Sequence, residues 1–235
     1  MTRALRGTTN RRRVYLMRHA DVSYFDANGQ PVDPRHVPLT DVGRRHALAA
    51  GELLKDVSFD VSICSGLPRT EQTARLVLGE RNVSLRHEPR LKEIRGGRLS
   101  AVPAAEREQV IAYAYDVAGE PGAIFIGGEA WESLRQRVLE VWTELLADDS
   151  WLNLLVVAHD AVNRLLLSHV TGAGLACMKA FEQDPACINI IEVDICDGVA
   201  LRAFLRAVNL VAYNLAGKDN HRTVMEKVWA DFNAP

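Results

Sequence analysis

Two short apolar runs that each end at a histidine constrain the fold of this chain most. Residues 14–17 lead directly into Arg18 and His19. Residues 153–158 lead into His159, and the chain then continues with a helical pattern. Apolar runs of this length predict buried strands, and the carboxyl ends of parallel strands lie along one edge of a sheet. One such histidine alone would be an ordinary surface or core residue, but two predict a shared pocket.

Strands and helices alternate along most of the chain. Further apolar runs predict strands at 59–64, 84–87, 188–193 and 201–208, the last two as a hairpin. Helical spacing of apolar residues, with capping residues at helix starts, predicts helices at 39–54, 68–78, 129–147 and 160–167. Such alternation indicates βαβ units. We therefore expect an α/β fold, a three-layer αβα sandwich with a mainly parallel central sheet.

The domain organisation that we expect is one domain with a small inserted cap. The chain has 235 residues, of which 48% are hydrophobic, enough for one substantial core. Glycine and proline surround a single predicted helix at 104–117, and we assign residues 95–128 to the cap. Residues 1–12 are rich in arginine and predict a flexible basic tail, which could bind an acidic surface but is more simply a solvated leader. Residues 13–235 form the predicted domain.

The composition excludes several classes of partner. A net charge of -2 supplies no overall field to attract nucleic acid or a membrane. No apolar stretch is long enough to span a bilayer or to act as an export signal. The cysteines lack metal-binding or paired spacing and are expected to be free thiols in a reducing cytoplasm: Cys64, Cys177, Cys187 and Cys196. The sequence leaves the oligomeric state open, with a homodimer as one option.

Two arginines beside predicted strand ends point to an anion. Arg18 precedes His19, and Arg69 lies in the first turn of the helix that follows Ser65. Guanidinium groups match the oxygens of a phosphoryl group, and helix N-termini after Ser65 and His159 would add N–H donors. A neutral imidazole among these charges is a competent nucleophile toward phosphorus, and either histidine could serve. Taken alone, Arg69 could form a surface ion pair and Ser65 could simply cap its helix.

Five sequence stretches occur in an order that carries a family resemblance: LMRHA at 16–20, LTDVG at 39–43, SGLPRTEQTA at 65–74, LKE at 91–93 and VVAHDAVNRLLL at 156–167. Together they resemble the histidine phosphatase superfamily, also called phosphoglycerate mutase-like, and its phosphatase branch. The resemblance implies that His19 is transiently phosphorylated and that Glu93 is the proton donor. It also implies that Arg18, Arg69 and His159 complete the phosphate pocket, without a metal or another cofactor.

The expected activity is metal-independent hydrolysis of a phosphomonoester on a small phosphorylated metabolite. His19 would attack phosphorus, and Glu93 would protonate the departing oxygen and then activate water. Arg18, Arg69 and a protonated His159 would stabilise the charge on the phosphoryl oxygens. For Glu93 to be an acid near neutral pH, desolvation by the cap has to outweigh the attraction of the arginines. The alternative for this residue is a solvated loop glutamate.

The sequence departs from the family pattern at several places: residues 22–25 lack the usual Thr and Asn after the first histidine, and Asp160 and His46 also differ. Asp160 stands where glycine usually follows the second histidine, and we expect its carboxylate to turn away from the phosphate and cap the following helix. His46 stands where glutamine is usual in the first helix. We expect a partly buried, hydrogen-bonded histidine there.

Two other functions remain open at this point. A phosphoglycerate mutase would pass the phosphoryl group back to its substrate, but such enzymes carry a paired-arginine clamp in the cap. Residues 101–128 supply only Arg107, which lies between two glutamates. A non-catalytic module that binds phosphorylated ligands is the second alternative, although every expected catalytic group is present. The sequence therefore favours a phosphatase.

Overall fold

A computed structural model describes residues 5–26, 32–98, 101–218 and 220–232 of the chain. The strands in this part of the chain are β1 Arg12–Arg18, β2 Val61–Cys64, β3 Leu85–His87, β4 Asn153–Ala158, β5 Ile188–Cys196 and β6 Val199–Leu210. The α-helices are α1 Asp41–Leu53, α2 Pro68–Leu78, α3 Arg107–Ala112, α4 Trp131–Ala147, α5 Asp160–Val170 and α6 Val224–Phe232. None of these helices is long and apolar enough to cross a membrane.

The strands form one sheet in the order β3-β2-β4-β1-β5-β6. The first four are mutually parallel, β5 is antiparallel to β1, and β6 is antiparallel to β5, as the hairpin prediction required. Arg18 at the end of β1 pairs in register with Ala158 at the end of β4. His19 continues this pairing, because its N–H donates to the carbonyl of Ala158 at 3.0 Å. The sheet thus delivers both histidines to one edge.

Each face of the sheet is covered by helices, which confirms the predicted three-layer sandwich. Successive side chains of β1 point to opposite faces, as strand geometry requires. Val14 and Leu16 pack in the core under α4 and α5. Tyr15 and Met17 pack in the core under α1 and α2. The runs that predicted these strands are apolar at every position because both of their faces are buried.

The helix predicted at 104–117 is wrong in extent. A 3-10 turn at Ala104–Glu106 leads into the six-residue helix α3, and the chain then continues in turns. Tertiary contacts explain the difference. The ring of Tyr115 packs 5.3 Å from Trp131, and its hydroxyl donates to Asp160 at 2.7 Å, so the chain leaves the helical path to bury this side chain. The boundaries 95–128 of the cap stay a prediction.

Residues 5–12 depart from the predicted flexible tail. They include a 3-10 turn at Thr8–Asn10, and Arg11 donates through Nε to Asp194 at 2.6 Å. Arg12 already belongs to β1, is only 5% exposed, and donates to the carbonyl of Leu146 at 3.0 Å. The sequence pattern missed the start of β1 at Arg12, because an arginine at the first position of a strand cannot be told from a solvated residue until its partners are known. Residues 1–4 of the predicted tail lie outside the described part of the chain.

Candidate active site

His19 lies buried just beyond the end of β1. Its Nδ1 is 2.8 Å from the carbonyl oxygen of Ala20. A carbonyl can only accept a hydrogen bond, so Nδ1 carries the proton and Nε2 of the neutral ring keeps its lone pair. Burial, followed by the positive charges of Arg69 and Arg18, lowers the pKa of His19 well below its usual value. The ring is therefore neutral and nucleophilic at neutral pH.

His159 lies beside His19, with the two ring centroids 5.2 Å apart. It occupies the residue before α5, and its Nε2 is 2.8 Å from the hydroxyl of Ser65 at the end of β2. Burial, followed by His19 and then by Arg69 and Arg18, lowers the pKa of His159 well below its usual value. Desolvation and like charges thus oppose a positive ring at His159, and its protonation with phosphate bound stays a prediction.

The two arginines predicted to bind phosphate both lie at this pocket, where their charges act on each histidine. Arg18 donates through Nη1 to the carbonyl of Gln183 at 2.7 Å, and Arg69 donates to the carbonyl of Pro34 at 2.6 Å. Arg69 is 3% exposed, so it is not a surface ion pair. Within the described residues, Nε of each arginine and Nδ1 of His159 are buried without a hydrogen-bond partner. Buried donors of this kind suit a phosphoryl group.

Glu93 reaches the same pocket from the loop that follows the 3-10 turn Pro89–Leu91. Its carboxylate accepts from the backbone N–H of Ile94 at 3.0 Å and of Ala161 at 3.2 Å, which places it at the start of α5 beside His159. Burial, followed by the negative charge of Asp160, raises the pKa of Glu93 to about 7. The side chain is thus not a solvated loop glutamate. At neutral pH a large fraction of the molecules carry a proton on it.

Comparison with known proteins identifies the family of this chain. The sequence profile of the histidine phosphatase superfamily (branch 1) matches residues 14–204. The chain belongs to this superfamily. The adenosylcobalamin/alpha-ribazole phosphatase of Escherichia coli K12 is 31% identical over 184 residues, which cover 77% of this chain and 90% of that protein. The crystal structure of the alpha-ribazole phosphatase from Shigella flexneri matches with a TM-score of 0.67 and 31% identity, covering 84% of this chain and 96% of that one.

The superfamily also contains mutases that this chain resembles. The 2,3-bisphosphoglycerate-dependent phosphoglycerate mutase 2 of Gloeobacter violaceus is 29% identical over 175 residues, which cover 70% of this chain and 74% of that protein. Arg107, the arginine of the 101–128 segment that was considered for a mutase clamp, contacts its own segment and the last helix. It donates to the carbonyl of Val102 at 3.1 Å, and its guanidinium lies 5.9 Å from the ring centroid of Phe232 in α6.

Arg137 and Glu129, which sequence analysis missed, hold the Glu93 loop of this histidine phosphatase in place. Arg137 of α4 donates to the backbone carbonyls of Lys92 at 2.7 Å and Glu93 at 3.3 Å. Its Nε also donates to Glu129 at 2.9 Å, and Glu129 accepts from the N–H of Arg95 at 3.1 Å. Glu129 precedes α4 and is not spaced from Arg137 as helical neighbours are, so the sequence carried no signal for the pair.

Asp160 and His46, which depart from the superfamily pattern, make contacts that the sequence did not predict. Asp160 does not cap α5 through its side chain: it is buried in the first turn, where it accepts from Arg164 Nε at 2.8 Å and from the hydroxyl of Tyr115 at 2.7 Å. His46 is half-buried, as expected, but it stacks on Tyr213 with ring centroids 3.5 Å apart. Its buried Nδ1 has no hydrogen-bond partner among the described residues.

The loop after His19 in this histidine phosphatase packs tightly against the start of α1. Thr40 caps α1 by accepting from the N–H of Gly43 at 2.9 Å. A Cβ on Gly43 would lie only 2.2 Å from the carbonyl oxygen of Asp21. Glycine is therefore required here for a close approach of two backbones.

Replacing Gly43 with alanine should lower the free energy of unfolding by about 1–3 kcal/mol, the usual cost of overpacking, and should also reduce turnover by displacing the loop after His19. Thermal unfolding and kcat measure the two effects. Gly51→Ala in the same helix is the matched comparison: its Cβ would lie 3.1 Å from the carbonyl oxygens of Leu76 and Val77, so the neighbouring backbone needs to shift by only a few tenths of an ångström. Alanine also favours a helix by about 1 kcal/mol, so this variant should lose less stability than Gly43→Ala. Equal stability of both variants would contradict the close approach at Asp21.

Proposed function

We propose that this protein is a metal-independent phosphomonoester hydrolase that acts on a small phosphorylated metabolite through a phosphohistidine intermediate at His19. Its superfamily and its phosphatase relatives support hydrolysis of a phosphate ester. The observation that carries the proposal is the convergence of two buried histidines, with ring centroids 5.2 Å apart, and the buried, unpartnered Nε–H groups of Arg18 and Arg69. This arrangement holds a nucleophile and the donors for the charge that develops on phosphorus.

In the first step, Nε2 of His19 attacks phosphorus in line with the ester oxygen. A P–N bond forms, the P–O bond to the alcohol breaks, and the electron pair leaves on the oxygen. Glu93 supplies the proton for that oxygen, because a group with a pKa of about 7 is partly protonated at neutral pH and gives up its proton readily. Arg18 and Arg69 stabilise the charge spread over the other phosphoryl oxygens.

In the second step, water attacks the phosphohistidine from the side that the alcohol has left. Glu93, now a carboxylate, takes a proton from the water as the new P–O bond forms. The P–N bond breaks, and its electron pair returns to Nε2 of His19, so inorganic phosphate and a neutral imidazole are the products. His159, held by Ser65, completes the pocket, and an N–H of its ring stabilises the charge on the phosphoryl oxygens.

We also propose that the enzyme acts in the cytoplasm. The absence of disulfides among the described cysteines supports this location: Cys64, Cys177, Cys187 and Cys196. A small phosphate ester is the proposed partner, with neither nucleic acid nor a membrane, and a homodimer is the oligomeric state to be tested by light scattering. No group of three metal-ligating side chains occurs in the part of the chain that the structure describes.

Hydrolysis of a generic aryl phosphate in the presence of EDTA tests the proposal. We expect turnover that the chelator does not reduce, whereas a module that only binds phosphorylated ligands would release no phosphate. Loss of activity that returns with a divalent cation would contradict the metal-independent mechanism. Labelling with a 32P-phosphate ester, followed by quenching in alkali, where phosphohistidine survives, distinguishes a hydrolase from a mutase. A hydrolase transfers the label to water quickly, whereas a mutase keeps it until an acceptor arrives.

A further inference from the structure

A second carboxylate lies in the turn of α5 that binds the candidate proton donor. Asp160 follows His159 in the chain and is only 4% exposed. It belongs to the first turn of α5, the same turn whose Ala161 N–H binds Glu93 at 3.2 Å. A buried carboxylate is costly unless it is paired, so its presence beside the pocket requires an explanation.

The carboxylate of Asp160 is fixed in place from two elements. Arg164, one turn further along α5, donates through Nε to Oδ1 at 2.8 Å, and Tyr115 donates its hydroxyl to Oδ2 at 2.7 Å. The guanidinium of Arg164 also lies 4.3 Å from the ring centroid of Tyr115 and 3.1 Å from a carboxylate oxygen of Glu182. These contacts prevent the Asp160 side chain from rotating toward a phosphate at His19. Its charge nevertheless acts on Glu93.

The charges that face Glu93 come from several elements. Arg18 at the end of β1 and Arg69 in α2 favour its carboxylate form, whereas burial and Asp160 in α5 favour its acid form. Tyr115 from the segment after α3 approaches as a neutral hydroxyl, because burial and Asp160 raise its pKa well above the usual value. Two positive charges would by themselves keep a carboxyl ionised at neutral pH. The negative charge of Asp160 opposes them.

We propose that Asp160 is a positioning residue of the hydrolysis described above, in which it holds Glu93 in the protonated form that the first step consumes. The inference rests on the proposed function. Asp160 does not touch the reacting atoms. It acts through Glu93, with Tyr115 and Arg164 fixing the position of its charge.

Asp160→Asn tests the inference, because asparagine keeps the shape and an acceptor oxygen but removes the charge. We expect the pH at which kcat/KM falls on the alkaline side, measured with an alkyl phosphate, to move downward by about one unit. The direction follows from the loss of a negative charge near Glu93, which makes its ionisation easier. The ionisation of the substrate is common to both proteins, so the difference between their profiles belongs to the enzyme.

Two controls separate this effect from a structural one. Tyr115→Phe removes one of the two supports of Asp160 but leaves its charge and its contact with Arg164, so the alkaline limb should move much less than in Asp160→Asn. Asp160→Glu restores the charge and should return the limb toward its original position. A uniform loss of activity in Asp160→Asn without movement of the limb, or an upward movement, would overturn the inference. Should Asp160→Asn not fold, Asp160→Ser is equally neutral and carries the same expectation.

A second measurement is independent of turnover. In protein labelled with 13C at the glutamate carboxyl, the Glu93 resonance, assigned by its absence in Glu93→Gln, should titrate at lower pH in Asp160→Asn than in the unsubstituted protein. An unchanged midpoint would overturn the inference even if the enzyme hydrolyses phosphate esters. Conversely, a shifted midpoint in a protein that hydrolyses none would sustain the link between the two carboxyls while the proposed function fails.

Discussion

His19→Ala should lower kcat for phosphate-ester hydrolysis by ~10⁴-fold or more, the scale seen when an enzymatic nucleophile is removed. No neighbouring group replaces it readily, because Nε2 of His159 is engaged with the hydroxyl of Ser65 at 2.8 Å. Steady-state kinetics measure the loss, and [32P]phosphate labelling with alkaline quenching should show no phosphohistidine in the variant. His221→Gln, a change at an exposed histidine, should keep activity within about twofold and retain the label.

The outcome that contradicts this prediction is specific. If His19→Ala still became labelled and turned over at the original rate, the nucleophile would be another side chain, with His159 the first candidate. If turnover persisted without any label, water would attack the substrate directly. Either result would remove the phosphohistidine at His19 from the mechanism while leaving the fold and the superfamily assignment intact.

Glu93→Gln should show a deficit that depends on the leaving group. We expect kcat/KM, which covers the steps up to departure of the alcohol, to fall by ~10²–10⁴-fold with an alkyl phosphate, whose alkoxide needs a proton. The fall should be much smaller with a nitrophenyl phosphate, whose leaving group departs as an anion. Glutamine keeps a carbonyl oxygen that can accept from Ile94 and Ala161, so the loop should stay in place. The alkaline limb that reports a pKa of about 7 should also disappear with the alkyl ester.

Glu106→Gln is the matched control, since this glutamate is exposed in the segment 101–128 and should alter neither substrate's turnover. Equal deficits of Glu93→Gln on alkyl and aryl phosphates would argue against proton donation. Such a result would instead point to a role in binding or in shaping the pocket. Comparison of kcat and KM for both substrates distinguishes these possibilities, because a binding role raises KM for both esters alike.

The edge of the sheet where the site lies could be predicted from the sequence, because the apolar runs before His19 and His159 fix which ends of the strands meet. Glu93 was different. A glutamate in a polar loop gives no signal by itself, and only the family resemblance singled it out. Its raised pKa then depends on burial and on Asp160, which the structure alone provides.

The partners of Asp160 show where sequence information stops. Arg164 lies four residues further along the same helix, a spacing that predicts an ion pair. Tyr115 belongs to a distant segment that was predicted to be helical, and its position depends on packing against Trp131. The pKa of His159 depends in the same way on desolvation and on charges from other elements, neither of which is visible in a strand–helix pattern.

The loop at residues 182–184 ties the candidate pocket to the end of the chain. Its Gln183 carbonyl receives Arg18, while Glu182 accepts from the N–H of Val224 at 2.8 Å and Asp184 accepts from Asn220 at 2.8 Å. The superfamily match ends at residue 204, well before these anchors. Shortening the chain to the matched region would therefore remove supports of the Arg18 guanidinium in the candidate pocket, and we expect an active minimal version of this enzyme to need its last helix.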